Sequence, residues 1–510
     1  MDFKIDLKKL TSDELWQEIS AQQNIETEIT LPDYCSDIKR ILKCILRPGI
    51  NNLSLSGENA NATGKVSLKL IYVNEKDKID CYEGSEDLSA SAIIKDLPEG
   101  AQLSAVPKVN YVNCRAVSQR KITVEGNIAV LLRIFSDKTR ELPESAEGSG
   151  VQCRKRQVQY ENLICRKEKV FDMGETAKVP QGKAPVGKIL RVSSRATLDS
   201  KKAVADKLLI KGELYTEILY LSEDEEGRVD KMTHSMPVSQ IIDMPGIGED
   251  SLCNVILKVR HISAQRKADS SSQGRLIEIA AKCSAAVKCS EIKTAYVIDD
   301  CYSITHDVQD EYSLEEFTFP VHTMDEQKTV VCSLDMPTDI SGILDIWCSD
   351  LTADMKGKND MSTANCTATL GVLYLDGKGV PSFSEKNAEF AINCKLKDSY
   401  EYLRCELDTQ VRDIEWKIAS KDKIEAKMKV GVLCTVSGSD SMRVLKNMKI
   451  LGEKKSTDDT ALTLYFCNKD ENIWDIAKKY NTTKEAICQE NSIDGDVTEK
   501  DEMILIPWVG

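Results

Sequence analysis

The chain of 510 residues carries one pattern three times, and this repetition constrains its fold more than any other feature. In each copy the leucine of an isoleucine-leucine pair lies 30 residues before a tyrosine, and that tyrosine ends a stretch of alternating apolar and polar residues. The copies lie 148 and then 154 residues apart, which is too long for a solenoid unit and typical of an autonomous domain. The landmarks are Ile41-Leu42 with Tyr72, Ile189-Leu190 with Tyr220, and Ile343-Leu344 with Tyr374.

We therefore predict a tandem array of three related domains followed by a separate C-terminal unit. The third copy is the most diverged, because Pro337 lies six residues before its isoleucine-leucine pair and the corresponding prolines lie nine before theirs. The predicted units are an N-terminal helix with the first repeat (1–150), the second repeat (151–298), the third repeat (299–453), a linker (454–461) and a C-terminal module (462–508).

Two segments near the N-terminus have helical spacing. Thr11 and Glu14 stand at capping-box spacing, and a short apolar stripe at Leu15, Trp16 and Ile19 follows them. This predicts a helix over residues 11–23. A second short helix is predicted over residues 37–42.

Beyond Gly64 the apolar pattern changes to a period of two, which indicates β-strands. Glycine, proline, asparagine and aspartate punctuate the pattern and predict strands of about five to nine residues joined by turns. Such strands favour antiparallel sheets, packed as a β-sandwich or an open barrel in each repeat. The predicted fold class is therefore mainly β, with three such repeats and a small α+β module of strand, helix, helix and strand at the C-terminus.

The composition indicates a cytosolic protein. The formal net charge of −14 argues against nucleic-acid binding, which requires basic density. We find no signal peptide and no stretch near the roughly 18 apolar residues that a membrane span requires. The 18 cysteines include no Cys-x-x-Cys pair, which leaves two alternatives: buried thiols in a reducing compartment, or disulfide cross-links in a late, oxidised assembly.

We find no pattern typical of catalysis. The four histidines form no metal-binding motif, and no nucleophile elbow or phosphate-binding loop is present. We therefore predict no catalytic residues, no metal site and no cofactor. An adhesive, non-enzymatic protein is the expectation.

The C-terminal module has the most specific pattern in the chain. A short strand around Leu464–Phe466 is followed by Asn472 as a predicted N-cap. Helices are predicted from Ile473 and from Thr482 or Thr483, and the closing strand ends at Pro507. Trp474 lies on the apolar side of the first helix, where it is either a core residue or a platform for a sugar.

The module resembles a LysM domain in the segments NIWDIA (472–477), YNTT (480–483) and ILIP (504–507). LysM domains bind N-acetylglucosamine polymers in a groove between two loops. The resemblance implies a groove formed by Asp470, Glu471, Asn472, Asn491, Ser492, Ile493 and Asp494. Two features depart from the family: aspartates at 470 and 501 replace its usual glycines, and the module has five lysines against ten acidic residues. Protein docking is thus an alternative use of the groove.

The segment LPDYCSDIKRIL (31–42) resembles the start of a SPOCS domain, a family of endospore-forming clostridia that often occurs in tandem and ends in a LysM domain. The resemblance implies a non-enzymatic spore-coat morphogenetic factor, made in the mother-cell cytoplasm and acting at the forespore surface. It also implies docking of the C-terminal module onto the coat basement ATPase, SpoIVA. Self-association through the β repeats is a further expectation.

Two other functions remain open at this point. The chain could anchor to peptidoglycan of the spore cortex or cell wall through its C-terminal module. It could also be a hydrolase with an unrecognised site in a repeat.

Overall fold

A computed structural model describes residues 4–148, 150–224, 227–267, 274–358, 361–395, 402–454 and 462–509. Within these described residues, eighteen strands lie before residue 454, in three successive groups of six. The first group contains β1 (Lys4–Thr30), β2 (Ile38–Ser56), β3 (Asn59–Asn74), β4 (Ile79–Ile93), β5 (Gln102–Ser118) and β6 (Lys121–Glu147). The second contains β7 (Val151–Lys178), β8 (Val186–Val204), β9 (Lys207–Ser222), β10 (Val229–Asp243), β11 (Leu252–Arg266) and β12 (Leu276–Ser303). The third contains β13 (His306–Asp335), β14 (Ile340–Lys358), β15 (Met361–Asp376), β16 (Pro381–Lys395), β17 (Tyr402–Ser420) and β18 (Lys423–Glu453).

The three groups share one pairing scheme. In each group the first, sixth and fifth strands form one three-stranded sheet, and the second, third and fourth strands form another. All of these pairings are antiparallel, and the two sheets of each group pack over a shared apolar core. The prediction of a mainly β fold with antiparallel sheets is confirmed. The residue ranges that we predicted for separate domains stay a prediction, and β12 runs past the proposed boundary at 298.

The predicted N-terminal helix over 11–23 is wrong, because this segment lies within β1 and pairs with β6 along its length. The pairing register shifts between Leu15 and Gln17, so that Trp16 is an extra residue in the strand. Such a bulge places two apolar residues next to each other and breaks the alternation, which imitates helical spacing.

The predicted helix over 37–42 is wrong for the same reason. This segment belongs to β2, whose register shifts between Ile38 and Arg40 and again between Ile41 and Lys43. The body strands, of 15 to 31 residues, are also longer than the predicted five to nine. This holds even for β4, which pairs with β3 without a register shift.

The repeated tyrosines are fully buried in the cores of their own groups. Tyr72 donates to the carbonyl of Ser36 at 2.9 Å, and Tyr220 donates to the carbonyl of Ala184 at 3.2 Å. Tyr374 lies 3.1 Å from the hydroxyl of Thr338. Each partner is 36 residues before its tyrosine, so a hydrogen bond joins the tyrosine to the segment before the second strand in all three groups, through the backbone in the first two and a side chain in the third.

Each group contacts the other two. One apolar cluster collects side chains from the first and last strands of all three groups: Leu10, Leu142, Val158, Tyr160, Ala295, Val297, Phe317 and Val444. A second cluster collects the residue that precedes each repeated tyrosine, namely Ile71, Leu219 and Leu373, and the leucine of each isoleucine-leucine pair, namely Leu42, Leu190 and Leu344. That leucine is the bulged residue of its strand in every group. The landmarks of the repeat therefore build both the core of each group and the junction between groups.

The described cysteines include one disulfide within the chain and several buried thiols, whereas cross-linking between chains in a late assembly stays a prediction. Cys253 and Cys289 stand opposite each other on β11 and β12 and form a disulfide. Cys35 and Cys81 are buried thiols, and burial raises the pKa of both.

Candidate functional site in the C-terminal module

The C-terminal module contains β19 (Leu462–Cys467), α1 (Ile473–Lys479), α2 (Lys484–Asn491) and β20 (Glu502–Pro507). Asn472 caps α1, since its side chain accepts from the backbone N–H of Trp474 at 2.9 Å. Thr483 caps α2 in the same way by accepting from Ala486 at 3.1 Å. The predicted order of strand, helix, helix and strand and the predicted cap at Asn472 agree with the structure. Of the proposed linker at 454–461, only Lys454 lies within the described residues.

The first predicted groove loop is held mainly by its own hydrogen bonds. Asp470 is exposed and adopts a left-handed backbone with φ of 63°, a conformation that aspartate tolerates at some cost. The Glu471 carboxylate accepts from the hydroxyl of Tyr465 at 2.6 Å and from the backbone N–H of Asn468 at 3.0 Å. The bond to Glu471 raises the pKa of Tyr465 to about 12. Glu471 and Asn472 therefore shape the loop, and Asp470 alone presents a free-standing side chain.

The second predicted groove loop shows the same division. Asn491 donates to the carbonyls of Ile487 at 2.8 Å and Leu505 at 2.6 Å, so it joins the end of α2 to β20. Ile493 packs against the core of the module. Ser492 and Asp494 are exposed, and Ser492 ends α2 in a left-handed conformation.

Backbone hydrogen bonds bring the first loop against the end of the second. Asp470 donates to the carbonyl of Thr498 at 2.9 Å, and Ile473 donates to the carbonyl of Asp496 at 3.0 Å. Lys484 forms an ion pair with Asp496 and holds the pKa of that carboxyl below its usual range. The two predicted loops thus share one end of the module. Their exposed side chains are acidic or small, which can hydrogen-bond a polar ligand but offers no apolar platform.

The β19–β20 hairpin has an exposed apolar surface on the face that points away from the core of the module. This surface was not predicted from the sequence. The cross-strand pairs Leu464 with Leu505 and Phe466 with Met503 stand on one face of β19 and β20. Leu464, Phe466 and Met503 are each more than 60% exposed. We call this set, completed by Leu462, the outer face. The sequence signal for this face is the alternation of Leu462, Leu464 and Phe466 in the predicted short strand.

The module packs against the end of β12 through the other side of α1. The indole N–H of Trp474 donates to Asp300 at 2.8 Å, and the ammonium of Lys478 lies 2.7 Å from the same carboxylate. Tyr302 donates to the carbonyl of Thr482 at 2.7 Å and makes an edge contact with Trp474 at 5.0 Å between ring centroids. Trp474 is therefore a buried contact to the body, and the sugar-platform alternative does not fit its position.

The docking carboxylate is electrostatically adapted to this contact. Burial alone would raise the pKa of Asp300, but the hydrogen bonds from Lys478 and Trp474 outweigh burial and hold the pKa below its ordinary value of 3.8. Asp300 is thus ionised at neutral pH and fixes α1 to β12. Because the docking uses α1, it leaves both the groove loops and the outer face uncovered.

Neither a metal site nor a membrane-spanning helix is found in the described part of the chain. No group of three or more histidine, cysteine, aspartate or glutamate residues there is placed to hold a metal ion. No helix there has the length and apolar character to cross a membrane.

Part of the chain is similar to a known protein family. Residues 185–267 match the family described as SipL, SPOCS domain, and this segment spans β8 to β11 of the second group. No curated protein matches the chain, and no solved structure matches it. The match is consistent with a sporulation-related protein.

Proposed function

We propose that this protein is a non-enzymatic scaffold in endospore coat assembly, with a C-terminal module that docks onto a coat basement ATPase of the SpoIVA type. The family match in the second group and the threefold repetition of that group's pairing scheme support a structural role. The proposed place of action is the mother-cell cytoplasm, at the forespore surface. Lateral self-association would proceed through the β groups.

The outer face carries the docking proposal. Contiguous exposed apolar side chains on a small module mark an interaction surface. Burying a leucine, a phenylalanine and a methionine against a partner contributes on the order of 5 kcal/mol before the cost of association. The module that carries the outer face is also acidic overall, with five lysines against ten acidic residues. An apolar patch with a basic rim is therefore the complementary partner surface.

Peptidoglycan binding is the second candidate, and the open position of the groove loops favours it. Asp470, Ser492 and Asp494 are exposed at one end of the module and away from the contact with β12. They provide hydrogen-bonding groups for a glycan. The negative charge of the module weakens this candidate against a wall polymer with carboxylates, although salt screens the repulsion.

Two matched substitutions in the full chain separate the candidates. Leu464→Glu adds a charge to the outer face at a side chain that is 64% exposed. Val497→Glu makes the same change beside the groove loops at a side chain that is 42% exposed. We expect Leu464→Glu to abolish co-purification with the purified basement ATPase and Val497→Glu to preserve it.

Peptidoglycan sedimentation of the same variants provides the second readout. If the scaffold proposal is correct, the unmodified chain stays in the supernatant at moderate salt. Retention of the ATPase by Leu464→Glu would refute the docking surface. Pelleting that is lost only in Val497→Glu would instead assign the module to glycan binding. Circular dichroism of both variants checks that the fold is retained.

A further inference from the structure

A cleft of about 370 Å³ lies between the second and third groups. Strands β8, β9 and β10 form one wall, and β14 and β17 form the other. Four cationic side chains line it: Arg191, Arg195, Lys231 and Arg412. Cationic residues from two strands of the second group, β8 and β10, and from one strand of the third, β17, therefore meet in a single cavity.

The arginines of this cleft have shielded N–H groups without acceptors. The Nε atoms of Arg191, Arg195 and Arg412 are all inaccessible to solvent and form no hydrogen bond. Arg191 is only 2% exposed, and its Nη2 lies 2.6 Å from Asp345. Arg195 and Arg412 have no carboxylate within 4.0 Å among the described residues. Arg195 and Arg412 therefore line the cleft as cations without an acidic partner in the described part of the chain, and they are available to a ligand that carries acceptor atoms.

The acidic residues of the cleft do not supply those acceptors. Asp350 lies 3.6 Å from Lys108, and Asp413 lies 2.8 Å from Lys429, so both pair outside the set of arginines. Glu217 lies 3.7 Å from Arg191, which is too long for a direct hydrogen bond. Asp345 pairs with both Arg191 and Lys231, at 2.6 and 3.4 Å, so Arg195 and Arg412 are the two cations of the cleft that lack a carboxylate partner among the described residues.

The junction between the first and second groups provides an internal comparison. Arg47 occupies in β2 the position that Arg195 occupies in β8, since each lies five residues after the leucine of its isoleucine-leucine pair. Arg47 donates through Nη1 to the carbonyl of Val192 in the neighbouring group. The repeat can therefore satisfy an arginine at this position with a backbone acceptor. The unsatisfied arginines at the second junction are a specific property of that junction.

We propose that this cleft binds an oxyanion of the phosphate class. Guanidinium groups present paired N–H donors that match phosphate oxygens. A planar carboxylate is filled by one such fork, whereas a tetrahedral phosphate can accept from donors that converge from different strands. The volume of 370 Å³ exceeds that of a single phosphate and admits a small phosphorylated molecule. Inorganic phosphate and a small phosphorylated molecule would both bind through their phosphoryl oxygens.

Calorimetric titration of the purified full chain tests this site. The probes are inorganic phosphate, pyrophosphate and glycerol phosphate, each against sodium chloride of equal ionic strength. We expect one phosphate-class ligand to bind per chain. Tighter binding of pyrophosphate or glycerol phosphate than of inorganic phosphate would identify a phosphorylated molecule as the natural source. Failure of all three probes to bind the unmodified chain would overturn the proposal.

Substitutions locate the binding. Arg195→Gln and Arg412→Gln each remove one fork, and each should weaken binding at least about tenfold, as expected for a lost hydrogen bond to a charged group. Arg115→Gln removes the same charge from an exposed position on β5 and should leave the affinity within about twofold. Equal affinity in all three variants would place the anion elsewhere and refute the cleft. Binding by the unmodified chain remains decisive if a cleft variant fails to fold.

Discussion

Replacing Asp300 with asparagine tests how the C-terminal module is held against the body. The carboxylate accepts from Trp474 through one oxygen and from Lys478 through the other. Tyr312 also donates to it at 3.0 Å. An amide of the same shape has only one acceptor oxygen. In Asp300→Asn, either the indole N–H of Trp474 or the ammonium group of Lys478 therefore faces the NH₂ donor of the amide.

The expected cost follows from the exposure of the two donors. Lys478 is 39% exposed and can turn to solvent, so its loss contributes little. Trp474 is 7% exposed, and its N–H would lose a charged acceptor in a shielded place. We estimate a loss of about 2 to 3 kcal/mol in docking free energy, which increases the undocked population about 30- to 150-fold.

The assay is exchange of the Trp474 indole proton with water, measured by nuclear magnetic resonance of protein labelled at its five tryptophans. Trp474→Phe identifies the signal. We expect exchange in Asp300→Asn to accelerate by about the factor by which the undocked population increases. Asp475→Asn is the matched control, because that carboxylate is 68% exposed and lies 3.8 Å from Arg154. Equal exchange rates in Asp300→Asn and the unmodified chain would refute the role of this carboxylate.

The same contact has a defined pH dependence. The pKa of Asp300 is lower in the docked state than its ordinary value of 3.8. Its contribution is therefore complete above that ordinary value and is lost as the pH falls through the lower one. Docking should persist in mildly acidic solution.

Three further changes test the body. Asp345→Asn leaves Arg191 buried without its charged partner and should cost about 3 kcal/mol in urea unfolding; an unchanged midpoint would contradict this. Gly212→Ala places a Cβ atom 2.1 Å from a backbone oxygen and should cost about 2 kcal/mol, whereas Gly182→Ala has no atom within 4 Å and should melt like the unmodified chain. Burial and a nearby carboxylate raise the pKa of Tyr220 from 10.0 to about 12. The contribution of Tyr220 to stability is therefore complete below pH 10.0 and is lost as the pH rises through about 12. The alkaline absorbance titrations of the unmodified chain and Tyr220→Phe should differ near the higher value only.

The repetition of the fold could be read from the sequence because it is a matter of spacing. Tyr72, Tyr220 and Tyr374 occupy equivalent buried positions, and each bonds to a residue 36 positions earlier. The period-two pattern before each tyrosine also correctly predicted a strand at that place. Equal spacing along the chain gives equivalent positions in the fold whenever the strand pairing is the same in each copy.

The two false helices show what spacing does not contain. A bulge is a relation between two strands, and β1 pairs with a strand more than 100 residues away. The neighbouring apolar residues Leu15 and Trp16 reflect that pairing, and no local rule separates them from a helical stripe. Bulges recur at Leu42, Leu190 and Leu344, and comparison of the three copies was the signal that could have identified them.

The site was predicted in outline but not in its details. The caps and the order of elements follow from local patterns, as Asn472 shows. The roles within the groove came from resemblance, and the structure gives Glu471 and Asn491 internal hydrogen-bonding roles. The alternation at Leu464 and Phe466 reports an apolar face, but only the packing of neighbouring elements decides whether that face is covered.

The divergence of the third copy has a physical reason at the junction of the groups. Lys43, Arg191 and Asp345 occupy one position, each paired across its sheet with the residue before the repeated tyrosine. Lys43 lies 2.6 Å from Glu385, and Arg191 lies 2.6 Å from Asp345, so the third group supplies the acid to both cations. A cation at position 345 would instead face Arg191 within the buried junction. At a separation near 4 Å two unit charges repel by about 4 kcal/mol with an effective dielectric constant of 20. Three identical copies could not close this junction, so one copy had to change sign at this position while keeping the leucine and the tyrosine that build the cores.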